Sequence, residues 1–171
     1  EQTKDVWTHR GDIRKSFEPR AEELAKKYAL APYTMFIGSG ALWGETILFS
    51  MCILEEMQWK RTRYITSADF FHGTLELVEP GVPVFLFMGE DENRKLDERV
   101  RAFLNRGVTG DTDINIIDTA EFAIPGLDDE FRVIVSPWIL SSLITDRLAA
   151  YYETVTKHNL NYRRYYHQFD Y

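Results

Sequence analysis

Four short candidate strands, at residues 33–37, 63–66, 83–88 and 113–117, alternate with stretches whose apolar positions recur at helical spacing, and no hairpin-turn signal joins any two of them. This alternation constrains the fold more than any other feature. A strand followed by a helical crossover and a second strand gives parallel pairing, and successive crossovers cover both faces of the sheet. The run Pro83-Val84-Phe85-Leu86-Phe87-Met88 is apolar at every position, as a strand buried between two helical layers must be. The expected class is α/β, a three-layer α/β/α domain with a parallel, Rossmann-like sheet.

Local signals place the helices. Ser16-Phe17-Glu18-Pro19 reads as a helix start with proline in the first turn; good helix formers follow over 21–29, and the helix should stop near Pro32. Gly38-Ser39-Gly40 closes the first strand, and residues 41–59 carry helical periodicity. A short helix is expected over 70–78. A charged helix should open at Glu90-Asp91-Glu92, its acids at the positive end of the dipole, and reach about Asn105. A longer helix is expected over 136–158, with an aromatic, partly basic tail over 159–171. Residues 1–15 read as a connector into a domain that occupies 16–171.

Charge and composition narrow the functional classes. The 171 residues hold 44% hydrophobic and 14% aromatic side chains, enough for one sizeable core. A formal charge of −7, from 20 basic against 27 acidic residues, offers no broad positive surface for nucleic acid or anionic lipid. The uninterrupted apolar runs are far shorter than the roughly 20 residues of a membrane span. Cys52 is the single cysteine, which excludes an internal disulfide and a multi-cysteine metal site and fits a reducing cytoplasm. No His, Cys, Asp or Glu grouping has metal-ligand spacing, so no metal is expected.

The candidate site residues come from three places. In a parallel sheet, ligands sit at the carboxyl ends of strands, so Gly38, Ser39 and Gly40 could bring backbone and hydroxyl against a polyol; a tight turn capped by Ser39 is the plainer alternative. Glu55 and Glu56 adjoin on a helix among Met51, Ile53, Leu54 and Met57. Adjacent helical positions point about 100° apart, so one carboxylate at most should share a given face and could serve as acid/base; two solvated acids flanking a core stripe is the plainer alternative. His72, in Asp69-Phe70-Phe71-His72-Gly73, follows a strand end where a turn can aim an imidazole into a cleft; a histidine packed among aromatics with a backbone partner is the plainer alternative. His9, His158 and His167 lack such a context. Ser39, Asp69 and His72 do not make a hydrolase triad by motif, since no Gly-x-Ser-x-Gly elbow is present.

Together Phe36-Ile37-Gly38-Ser39-Gly40, Glu56-Met57-Gln58-Trp59, Phe70-Phe71-His72-Gly73 and the tail Arg163-Arg164-Tyr165, ending at Tyr171, resemble the second, C-terminal sugar-isomerase (SIS) domain of fructosamine-6-phosphate deglycases, relatives of the isomerase half of glucosamine-6-phosphate synthase. The most specific element is the 16-position spacing of Glu56 and His72. Asp69 stands where the family usually has Glu, Thr74 where a proline is common, and Gln168 where related deglycases often carry Lys.

The resemblance implies that Glu56 moves a proton between sugar carbons and that His72, reaching in from the neighbouring subunit, assists ring opening. It implies a phosphorylated sugar-amine substrate, no cofactor, a homodimer or higher homo-oligomer, and an N-terminal SIS domain that supplies most of the phosphate site. Two rival readings share the fold: an aldose–ketose or amino-sugar-phosphate isomerase, and a non-catalytic sugar-phosphate sensor. Phe70 and Phe71 are expected to be exposed for the subunit contact, and Glu56 to line a cleft near Gly38–Gly40.

Overall fold

The computed structural model describes residues 4–107, 110–122 and 124–170; Thr109 and Tyr171 of the sequence reading lie outside them. Strands β1 (Thr34–Ile37), β2 (Thr62–Ile65), β3 (Val84–Met88) and β4 (Ile114–Asp118) form one sheet in the order β2-β1-β3-β4. Every pair is parallel, with Phe36 opposite Tyr64 and Phe85, and Leu86 opposite Ile116.

Alternation along the strands divides the core in two. Phe36, Phe85, Phe87 and Ile117 face one helical layer, while Met35, Ile37, Val84, Leu86 and Met88 face the other. Phe36 stacks on Phe85 with ring centroids 5.2 Å apart. The expected three-layer α/β/α sandwich is therefore present.

Helix α1 (Lys4–Tyr28) begins twelve residues before the expected start, so Pro19 is interior to it. Proline removes one N–H from the ladder and fixes φ without forbidding the helical conformation. The stripe Ile13, Phe17, Ala21, Leu24, Tyr28 is buried at steps of three and four, and burial of each large member contributes about 1.5–3 kcal/mol. Residues 4–15, read as a connector, are thus helical, and Ile13 belongs to the core.

The helical run after β1 begins as a 3₁₀ turn (Gly40–Leu42), continues as α2 (Trp43–Ile47) and widens into a π-helical stretch, Leu48–Met57. Gly73, at φ +132, splits the expected helix over 70–78 into α3 (Ser67–Phe70) and a 3₁₀ turn, Thr74–Leu77. In α3 the Thr66 hydroxyl caps the helix by accepting from Asp69 N at 3.0 Å, and it donates to Asp69 Oδ2 at 2.8 Å.

Helix α4 (Arg94–Leu104) starts after the acidic triplet rather than within it. Asp91 is drawn away by the backbone: its carboxylate accepts from Asn93 N at 2.7 Å and from Ala41 N at 2.5 Å. Helix α5 (Asp129–Leu143) passes through a π-helical turn, Ile144–Leu148, into α6 (Ala149–Thr156). By length and hydropathy this continuous run, Asp129–Thr156, is apolar enough to cross a membrane, although polar residues interrupt its apolar stretches. In the fold it is a core helix, with Ile139, Leu140, Leu143, Ile144 and Leu148 fully buried.

Candidate active site

Glu56 sits in the last turn of the π-helical stretch, and the end of that helix builds the site. Trp59 adopts the left-handed conformation at φ 53, a cost of about 1–2 kcal/mol for a residue with a Cβ, and Lys60 N returns to Leu54 O at 2.8 Å. This closes the helix and turns Trp59 and Lys60 beside Glu55 and Glu56.

A second helix end is tied to the first by Gln58, which is only 4% exposed. Its Nε2 donates to His158 O at 2.6 Å, and Thr156 Oγ1 donates to its Oε1 at 2.7 Å. Lys157, left-handed at φ 57, ends α6 there, and His158 packs edge-on against Trp59 with centroids 4.3 Å apart. The tail consequently starts next to Glu56 and folds back across it.

Arg163 Nε then meets Glu56 Oε1 at 2.8 Å, while Nη1 donates to the carbonyls of Leu160 and Tyr162, each at 2.8 Å. The Arg164 guanidinium lies 4.3 Å from the Trp59 ring centroid. These groups enclose an open cleft of about 380 Å³ lined by Glu55, Glu56, Trp59, Lys60 and residues 163–166. Burial, and then the charge of Glu56, push the Cys52 thiol up, so it stays protonated near neutrality and offers no nucleophile.

Both glutamates border the cleft, contrary to the expectation that only one could. Their partners distinguish them: Glu55 Oε1 accepts from the Thr62 hydroxyl at 2.5 Å and is spent on the strand below, whereas Glu56 meets a tail side chain.

The glycine turn is elsewhere. Gly40 opens the helical run that Glu56 closes, so the two are separated by roughly 20 Å of helix axis. The expected common cleft is therefore absent among the described residues. Ser39 is 4% exposed, makes no helix-capping bond, and its Oγ accepts from Ser67 N at 2.7 Å. Gly38 packs against the Thr46 side chain. Gly40 borders a second cleft of about 530 Å³ at the carboxyl ends of β1 and β3, whose lining includes Glu90, Asp91, Glu92, Asp129 and Glu130. Glu90 there is held by Arg132.

His72 is exposed in the turn after α3 and does not line the Glu56 cleft of its own chain. Phe70, expected to be exposed, is fully buried between the sheet and α4, and Phe71 is half-buried with the Arg99 guanidinium 4.1 Å from its ring centroid. Thr74, in the family's proline position, is buried and accepts from Arg63 at 3.4 Å. The residues missed in the sequence are Lys60, His158 and the Arg163 partnership, although Gln58, Trp59 and the Arg-Arg-Tyr tail had been singled out.

Across its whole length the chain superposes on a protein described as a phosphosugar isomerase from Bacillus subtilis, with a TM-score of 0.91 and 26% identity, covering 51% of that chain. The chain has the sugar-isomerase (SIS) fold. Fructosamine deglycase FrlB of Bacillus subtilis (strain 168) is 30% identical to this SIS domain over 148 residues, which is 85% of the domain and 43% of the relative. Fructoselysine 6-phosphate deglycase of Escherichia coli (strain K12) is 30% identical over 159 residues, 91% of the domain and again 43% of the relative. The SIS domain thus spans less than half the length of the curated relatives it matches. No family model matches it.

Proposed function

We propose that this SIS domain is the C-terminal, acid/base half of a cytoplasmic 6-phosphofructosyl-amine deglycase. The observation that carries the reading is the position of Glu56 in a cleft closed by the chain's own tail, in a domain aligned along most of its length with two deglycases.

In the open-chain substrate the C2 carbonyl acidifies the C1 hydrogens. Glu56, once substrate displaces Arg163, takes one of them while the carbonyl oxygen gains a proton, giving the enaminol. The proton is then returned to C2, which leaves an imine at C1. Water adds to the imine and expels the amine, so glucose 6-phosphate and free amine are the products and one water is consumed. One positioned carboxylate contributes about 10²–10⁴-fold to such a transfer.

His72, exposed and outside its own chain's cleft, is assigned to ring opening in the Glu56 cleft of a second subunit in a homodimer. The phosphate loop is assigned to an N-terminal SIS domain of the native protein. Supporting this, the Ser39 hydroxyl and the Ala41 N–H are engaged by Ser67 and Asp91, and the cleft beside them is acidic, a poor setting for a phosphate dianion.

The test is incubation of the complete native protein with a panel of 6-phosphofructosyl amines. Glucose 6-phosphate and free amine should appear in equal amounts, and their absence with every adduct would overturn the reading.

A further inference from the structure

His72 is exposed, and the backbone around it is too short an element to hold it in one direction. Helix α3 has four residues, Ser67–Phe70, well below the roughly 12–15 at which a helix begins to persist without tertiary support. Gly73, at φ +132, ends any helical continuation directly after the imidazole. Inside the turn His72 N donates to Asp69 O at 2.9 Å, which ties His72 to α3 but to nothing larger. The direction of the imidazole is therefore set by what α3 and its turn lean on, and that support is α4.

Ser67 Oγ donates to Asp97 Oδ1 at 2.6 Å, and the Phe70 ring meets that of Phe103 with centroids 5.7 Å apart. Asp97 and Phe70 are both fully buried, so these two contacts hold the body of α3. Phe71 meets Phe103 at 5.9 Å, and the Arg99 guanidinium carbon lies 4.1 Å from the Phe71 centroid. Residues 99 and 103 stand at i and i+4, on one face of α4, and both reach the same ring. Arg99 differs from the other members of the set. It is exposed and has no carboxylate partner among the described residues, Glu98 beside it being taken by Arg94 and Arg101. An exposed cation over a ring adds little to the stability of a fold. Its place matters more than its strength, because Phe71 immediately precedes His72 and a rotation of the one displaces the other.

We infer that Arg99 is a positioning residue for His72: its guanidinium, laid on Phe71, fixes the turn in the direction that presents the imidazole to the substrate ring. The inference rests on the assignment of His72 to ring opening. That step needs the imidazole within hydrogen-bond reach of the ring oxygen and hydroxyl, and proton transfer falls off steeply when the donor is misplaced by as little as about 1 Å. With Phe103 alone on one edge, Phe71 is free to rock on α4; with Arg99 beside it, the ring is gripped from two positions of the same helix face.

The test is a double-variant cycle in the complete native protein, read as glucose 6-phosphate release from a 6-phosphofructosyl amine. Arg99→Gln should lower kcat about 3–5-fold, the scale of one lost cation–π contact, and leave KM within about 2-fold. Arg99→Lys keeps a cation over the ring and should recover most of the loss. In a His72→Ala background Arg99→Gln should cause no further loss, since no imidazole is left to aim. An equal loss with and without His72 would mean that Arg99 touches the substrate or merely supports the fold, and a silent Arg99→Gln in the wild type would mean that Phe71 is held without it; either overturns the inference. Should Arg99→Gln not fold, Phe71→Leu, which keeps an apolar side chain but no ring face, must show the same dependence on His72. Additive losses sink the positioning role and leave the ring-opening assignment standing, whereas a silent His72→Ala removes both.

Discussion

Arg163 Nε donates to Glu56 Oε1 at 2.8 Å, so the proposed base is held in the free domain by a side chain from the last nine residues of the chain. The pair is partly exposed, which keeps its strength small and its exchange for substrate easy. In the complete protein, Glu56→Gln should retain substrate binding and lower kcat by about 10²-fold or more. Glu55→Gln keeps an acceptor for Thr62 and should change kcat by less than about 3-fold, well below the effect of a lost base. Steady-state kinetics on both variants checks this; a silent Glu56→Gln beside a damaging Glu55→Gln reverses the assignment.

Gln58 makes the second prediction. Its amide is buried and bonded on both sides, to His158 O and Thr156 Oγ1, and so ties the end of α6 to the end of the π-helical stretch. Gln58→Ala should cost about 1–3 kcal/mol, since it leaves buried partners unmatched. It should also loosen the tail, so that trypsin cleaves faster after Arg163 and Arg164. Unchanged urea denaturation and proteolysis would show that the tail is held by other contacts.

How much of this was legible in the sequence depended on the range of the interaction. β3 was readable because Val84–Met88 is buried on both faces and so apolar at every position. The start of α1 was misread because Pro19 carries the local signature of a first turn, and only the buried stripe from Ile13 shows that the helix began earlier. Glu90-Asp91-Glu92 looked like a helix opening; the Ala41 N–H that captures Asp91 is 50 positions away. Phe70 and Phe71 were expected outside because a short turn hides which ring faces the sheet. Glu56 and His72 were singled out through the resemblance to the deglycases, whereas the meeting of Glu56 with Arg163 has no local pattern. It follows from two helices ending at the same corner.

Asp97 gives a pH-dependent prediction. It is fully buried on α4, accepts from Ser67 Oγ at 2.6 Å and from Gly89 N at 3.2 Å, and through Ser67 is linked to Ser39. Burial pushes its carboxyl from 3.8 up to about 6, with the bonds from Ser67 and Gly89 opposing. The folded state therefore holds this proton more tightly than the unfolded chain. Its stabilising contribution is complete below about pH 4 and is lost as pH rises through about 6, for a change of up to about 3 kcal/mol. Asp97→Asn does not titrate, so the stability of the variant relative to wild type should improve by about 1–3 kcal/mol between pH 4 and pH 7 and then level off. Urea unfolding across that range measures it, and a constant difference would show that Asp97 does not change charge there.

The exposed position of His72 leads to the last prediction. His72 lies outside the cleft of its own Glu56 and Phe70 is already buried in the core, so in the proposed shared-site dimer the turn itself, rather than that ring, would carry the imidazole in. His72→Ala and Glu56→Gln should each be nearly inactive alone as complete proteins. In a two-fold dimer with shared sites, a mixed pair has one site with both residues intact and one with neither. Co-expressing or co-refolding equal amounts of the two variants forms mixed pairs in about half of the dimers, and half of their sites work, so roughly a quarter of wild-type activity should return. Activity that stays at the level of the separate variants while mixed dimers are detected by mass would mean that His72 serves its own chain or takes no part in the reaction.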